Sequence, residues 1–232
     1  MKEEIHNTCK KYGIKNYTIN DDGSIDVDGD VFLTDWYLER MPIKFREITG
    51  NFNCPYNRLN SLVGGPERVG GDFRCNNNNL TSLDGCPKTV GGDFDCYENK
   101  LTSLEGCPKT VGGDFSCDSN NLTSLEGCVE KVVGDFNCDK NNLATLKGCV
   151  EKVDGDFYCD NNNLASLKGG PEKVGGDFYC NKNKLTSLDG GPKKVGGNFN
   201  CSDNNLPAHI VDNPIAELQR IHRNNKLKIL FD

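Results

Sequence analysis

The sequence predicts a repeat solenoid, one elongated domain of short parallel strands stacked coil on coil. Three observations carry this reading. Phe52, Phe73, Phe94, Phe115, Phe136, Phe157, Phe178 and Phe199 stand 21 residues apart, and a cysteine follows each by two residues, from Cys54 to Cys201. Columns of asparagine (Asn57 to Asn204), leucine (Leu59 to Leu206 and Leu62 to Leu188) and valine (Val69 to Val195) keep the same step. The 232 residues suffice for one globular domain or one elongated repeat, and 35% hydrophobic against 26% charged residues leaves them lean in core-formers.

Residues 1–27 read as a cap. Lys2 to Tyr12 is expected to form a helix with Ile5, Cys9 and Tyr12 on one face and Gly13 as its stop, and Cys9, outside the repeat, is expected to be exposed. Tyr17 to Val27 alternates in and out around Asp22 and Gly23, the signature of a hairpin. Residues 28–212 form the solenoid. Its first unit is degenerate, with Val31, Leu33, Leu38, Met41 and Ile48 in the repeat columns and Trp36 in the asparagine place. Terminal repeats lack a neighbour on one side and are commonly atypical.

Within a regular unit, residues i and i+2 share one side of a strand, so Phe73 and Cys75 face inward and Arg74 outward. Asn78 falls where the strand of about three to five residues ends, and its amide can both donate to and accept from the backbone of neighbouring turns. Leu80 and Leu83 close the core on the convex side, and Gly85 and its equivalents suit a turn with positive φ. The unit is too short for a helix on that side, which is expected to be extended or 3₁₀. Nine strands at about 4.8 Å give a stack about 40 Å long. Residues 213–232 read as the second cap, with a helix from Pro214 through His222 burying Ile215, Leu218 and Ile221, and a final strand over Lys226 to Phe231.

The F-x-C-x-x-N-x-L unit resembles the L-x-L-x-x-N-x-L core of a leucine-rich repeat over about four-fifths of the chain. The short unit resembles bacterial effector-type leucine-rich repeats, and "LTSLEGCPKTVGGDF" from Leu101 to Phe115 looks most like repeat proteins of tailed bacteriophages. The resemblance implies a right-handed leucine-rich-repeat solenoid with a short-stranded parallel sheet, a mostly non-helical convex side and helical and hairpin caps. It further implies a recognition scaffold, acting in the cytoplasm of an infected host.

Function classes narrow on composition. A net charge of -7 gives no electrostatic footprint for nucleic acid or an anionic membrane, so direct binding to either is not expected. The charged start of the chain has no apolar segment behind it, which points to the cytoplasm. Thirteen cysteines without a C-x-x-C pair, and three histidines outside the columns, argue for small buried hydrophobes, including Cys86, Cys107, Cys128 and Cys149 in the turns, rather than a metal or redox centre. No nucleophile elbow, P-loop or H-E-x-x-H motif is present, so no catalytic residue and no cofactor is assigned.

The outward strand positions line the concave face, the usual binding surface of a solenoid. Tyr158 and Tyr179 fall on adjacent strands with Tyr97 farther along, and Asp118, Asp139 and Asp160 form an acidic run beside them, with Arg74 of opposite sign. Rigid amphipathic aromatics are favoured contact residues, so these seven positions are the candidate binding site for a protein with a basic surface. The other reading of the same positions is an ordinary solvated sheet surface. Asp72, Asp93, Asp114, Asp135, Asp156 and Asp177 precede the phenylalanines. They could bind calcium, but accepting local backbone N–H groups at a corner explains them better. Asp26, Asp28 and Asp30 lack a full calcium loop and fit turn structure, and the sequons at Asn79 and Asn121 follow from the repeat itself. The function that follows is a non-catalytic protein-binding module, with a structural or self-assembling module, virion-associated or not, as the second reading.

The strand cysteines are expected to be reduced and unligated. Thiol titration of freshly purified protein should rise sharply on denaturation, whereas stoichiometric metal or persistent disulfides would contradict the assignment.

Overall fold

The computed structural model describes residues 2–231, with side chains described through Lys226. Helix α1 (Lys2–Lys11) leads into an antiparallel hairpin of β1 (Tyr17–Ile19) and β2 (Ile25–Val27). From there the chain winds into coils whose strands build two sheets, one of nine strands and one of ten. The nine-stranded sheet runs from Val31–Phe32 to Phe199–Asn200, with every phenylalanine paired in parallel to the one 21 residues away. Its backbone pairing extends beyond the two-residue strands. Phe73 N–H donates to Asp93 O at 2.8 Å, Cys75 N–H to Asp95 O at 2.8 Å and Asn77 N–H to Tyr97 O at 3.1 Å, which matches the strand length expected.

The second sheet lies on the side expected to be extended, which goes further and forms a ladder of its own. The valine column forms two-residue strands such as Thr89–Val90 and Thr110–Val111, paired in parallel, and β1 and β2 extend this sheet at one end. A coil without a helix keeps both long sides extended, and β-branched residues suit the second side as well as aromatics suit the first. The short parallel strands, the non-helical second side and the asparagine-bearing corner are consistent with a leucine-rich repeat.

Between the sheets the core is thin and periodic. Phe52 through Phe178, Cys54 through Cys180, Leu59 through Leu185 and Leu62 through Leu188 are fully buried, and Leu206 in the last coil is partly buried. Phe73 and Phe94 stack with ring centroids 5.6 Å apart and planes 8° apart, so the aromatic column follows the strand spacing imposed by the sheet. The strand thiols are free and their pKa values are raised by burial, well above the ordinary range at Cys96 and Cys117. The turn cysteines are only partly buried, packed against the core from its edge. Burial nonetheless pushes the Cys128 thiol up to about 12.

At the corner after each Phe-x-Cys strand, one asparagine serves four backbone groups. Asn120 Nδ2 donates to Cys96 O (3.1 Å), Cys117 O (3.1 Å) and Asp118 O (3.2 Å), while its Oδ1 accepts from Leu101 N–H at 3.0 Å. The same bonds recur at Asn78, Asn99 and Asn141. In the degenerate first coil Trp36 cannot do this, and Asn57 Oδ1 accepts from both Trp36 and Leu38 N–H.

The aspartate column bonds differently from the local pattern expected. Each carboxylate accepts from the next coil: Asp93 Oδ1 from Asp114 N–H at 2.9 Å, and Asp114 Oδ1 from Asp135 N–H at 2.8 Å. The glycine before each aspartate follows from this bond, because a methyl group at Gly113 would collide with Asp93 Oδ1. At the convex turn, Gly85, Gly106 and Gly148 take φ of +86°, +88° and +90°, as expected.

Both caps bury apolar side chains. Cys9 is completely buried with Ile5 on the inner face of α1, which corrects its expected exposure: that face is the lid of the first coil. At the other end a short helix, α2 (Ala208–Asp212), precedes α3 (Pro214–Phe231). Asn213 Oδ1 accepts Ala216 N–H at 3.4 Å at the start of α3, and Leu218 and Ile221 are buried. The strand expected over Lys226 to Phe231 is instead the continuation of α3. Extending a nucleated helix costs little, whereas a strand would need a partner edge. Gly191, like Gly170 one coil before, stands in the column that holds Cys86, Cys107, Cys128 and Cys149. A Cβ there would lie 2.7 Å from Leu218 Cδ2, so the missing side chain makes room for α3.

Replacing Asn120 with Ala removes the bonds of a central coil and orphans Leu101 N–H. Its chemical-denaturation midpoint should fall by an amount equivalent to about 2 kcal/mol or more, with a smaller loss for Asn204→Ala in the last, partly exposed coil.

Candidate protein-binding face

The register of the nine-stranded sheet places Tyr158 opposite Tyr179. Their rings are parallel within 3°, with centroids 4.9 Å apart. Tyr158 Oη donates to Asp156 Oδ2 at 2.9 Å and Tyr179 Oη to Asp177 Oδ2 at 2.7 Å, so each ring is pinned across its own strand. Desolvation, then the Asp156 carboxylate, raises the Tyr158 pKa; the bond to Asp177 raises that of Tyr179. Both phenols therefore stay neutral donors. The rings are half-buried rather than fully outward, a consequence of lying down toward the aspartate column.

Asp118, Asp139 and Asp160 share the column just past the cysteines, and Tyr97 belongs to that column rather than to the tyrosine pair. Asp139 Oδ1 accepts Asp160 N–H at 2.6 Å, and Asp160 Oδ1 accepts Asn181 N–H at 2.7 Å. Asp118 accepts from Ser119 Oγ at 3.1 Å. These side chains are thus partly structural: Asp160 is buried and the other two are half-buried. Burial raises all three carboxyl pKa values. Asp139 reaches about 7, with the charge of Asp160 adding to desolvation, and Asp160 reaches about 6. Burial likewise raises the Tyr97 phenol.

Arg74 sits four coils from Tyr158 and is engaged within the face. Its guanidinium lies 2.9 Å from Asp95, 3.0 Å from Asp72 and 3.6 Å from Asp93, joining adjacent coils. Burial still holds the Asp95 carboxyl above its ordinary value against the pull of Arg74. The seven candidate positions therefore divide into a tyrosine pair, an aspartate column that includes Tyr97, and a separate arginine cluster.

A further group stands at the N-terminal end. Phe32, Trp36, Tyr37 and Tyr56 are exposed. Their signal in the sequence is departure from the repeat: Trp36 replaces the asparagine, and Tyr56 occupies a column otherwise filled by Asn77, Glu98, Ser119 and Lys140. Beside Phe32 in register, Asn53 is buried and its Oδ1 has no hydrogen-bond partner among the described residues.

Among the described residues, no group of three or more His, Cys, Asp or Glu side chains is placed to hold a metal ion. No described helix is long and apolar enough to cross a membrane. No family model matches the chain, and no match to a curated protein emerges. Among solved structures the chain is similar to YopM from Yersinia enterocolitica WA-314, with 15% identity and a TM-score of 0.38 over 76% of this chain; it spans 56% of that structure's length.

The raised carboxyl pKa of Asp139 predicts a pH dependence. From about pH 4 to pH 7 the unfolded chain gives up this proton while the folded one holds it, so its contribution to stability falls as pH rises and is lowest above about 7. Asp139→Asn keeps the Oδ1 acceptor without the charge. Its Tm should exceed that of the parent by about 1–3 °C at pH 8, and the gain should vanish near pH 4.

Proposed function

We propose that the protein is a non-catalytic protein-binding module whose concave face contacts a partner through Tyr158 and Tyr179, with Asp118, Asp139 and Asp160 beside them. The observation that carries this reading is the parallel tyrosine pair, pinned by Asp156 and Asp177 on a rigid sheet. Ordering is already complete before a partner arrives, so little side-chain entropy is lost on contact. The carboxylate column favours a basic protein surface, and the elevated pKa values of Asp139 and Asp160 make that preference stronger above neutral pH than below it. Tyr97 extends the contact along the aspartate column, while Arg74, held by three carboxylates, orders the face.

The setting we propose is a phage-encoded protein acting on a host or phage partner in the cytoplasm of an infected bacterium, a reading that rests on the repeat phrasing from Leu101 to Phe115. Affinity capture from infected cells identifies the partner, and light scattering on the purified chain separates partner binding from self-assembly.

Tyr158→Ala and Tyr179→Ala should each weaken partner binding by about 10-fold or more, equivalent to loss of an anchoring aromatic. Tyr→Phe at either site should cost less, because the ring remains. Unchanged affinity in both alanine variants, with folding intact, would move the contact elsewhere.

A further inference from the structure

We infer that the N-terminal end of the solenoid carries a second docking surface, separate from the tyrosine pair, for an acidic protein segment with an apolar anchor. Four aromatics between positions 32 and 56 are left in solvent: Phe32 is 57% exposed, Trp36 44%, Tyr37 64% and Tyr56 55%. Single exposed aromatics need no explanation, but four at one end of the solenoid mark a contact surface.

Backbone geometry argues that Tyr37 and Tyr56 are not there for folding. Tyr37 has φ +54° and Tyr56 φ +55°, in the left-handed region that bulky residues disfavour. The Tyr56 place is left-handed in every coil, and other coils meet it with Asn77, Ser119, Asn161 or another polar residue. An exposed tyrosine there accepts backbone strain without gaining burial. Strain kept at an exposed aromatic points toward function.

Charge indicates the partner. Lys11, Arg40 and Arg58 border this end, and none has a carboxylate within ion-pair distance among the described residues, unlike Arg46, Arg74 and Lys147 elsewhere. The Arg58 guanidinium lies 5.3 Å from the Tyr37 ring centre, and the Lys11 ammonium 4.9 Å from that of Tyr12, which meets Trp36 edge-on at 5.0 Å. Between α1 and the first coil a hollow of about 580 Å³ is lined by Lys11, Tyr12, Tyr37, Arg40 and Met41, with Glu39 as its acid. Unpaired cations around aromatic walls suit carboxylates that flank an apolar side chain.

The test is selection of a random peptide display library on the purified full chain, followed by anisotropy titration of the enriched peptides. The expected result is enrichment of Asp- and Glu-rich peptides bearing an aromatic or large aliphatic residue. Their binding should weaken about 10-fold or more in Tyr37→Asn and in Arg58→Ala and should weaken with salt. Asn tolerates left-handed backbone, so Tyr37→Asn and Tyr56→Asn should melt no lower than the parent. Binding should survive Tyr158→Ala with Tyr179→Ala, which keeps failure of this surface distinct from failure of the first. The inference is overturned by enrichment of basic peptides, by no enrichment, by binding indifferent to Tyr37 and Arg58, or by tighter binding of single-stranded oligonucleotide. Self-association abolished by Tyr37→Asn would also overturn it, since the occupant would then be a second copy. A melting temperature lowered by several degrees in both Asn variants would make the aromatics structural.

Discussion

A chain that completes one turn of a coil every 21 residues must satisfy backbone groups at corners that neither sheet reaches, and the asparagine column does this. One side-chain amide donates to three carbonyls, two on its own coil and one on the coil before, and accepts one N–H from that earlier coil. Aspartate would lack the donors, and glutamine would place the amide one methylene too far out. Because each amide bridges two coils, the corners are locked at the strand spacing. The phenylalanine rings, fully buried, stack in step with it.

The second ladder carries an electrostatic consequence. Carboxylates that accept backbone N–H groups of the next coil are repeated at nearly the strand spacing, on a face half removed from water. Hydrogen bonding favours the charged form and burial opposes it. At Asp177 the bonds from Asn198 N–H and Tyr179 Oη outweigh desolvation and the pKa is lowered; at Asp135 burial dominates and the pKa is raised. In the neighbouring column burial raises Asp139 and Asp160, so the nine-stranded sheet is less negative near neutral pH than its count of aspartates suggests, and the tyrosine pair beside that column is ordered and half-buried.

The two ends solve the open-core problem differently. At the start, an antiparallel hairpin extends one sheet while α1 covers the first coil with Ile5 and Cys9. At the finish, α3 places Leu218 over a glycine left bare for it. Repeat constraints relax at these ends, since no further coil needs to fit, and near the start aromatic residues stand exposed where later coils carry polar ones.

Periodicity determined most of the fold from the sequence alone. The inward Phe and Cys, the bridging Asn, the positive-φ glycines and the parallel pairing of Tyr158 with Tyr179 all follow from a 21-residue step, because in a solenoid sequence offset and spatial neighbourhood are the same thing. Cross-coil contacts that depend on side-chain direction were decided only in three dimensions. The valine side became a second sheet because hydrogen-bond partners, not apolar pattern, define a ladder. The aspartates reached forward to the next coil, and the tyrosine hydroxyls reached sideways to those aspartates. The burial of Cys9 and the helical end of the chain depended on what packed against each cap, for which a nonrepeating segment offers no register to read.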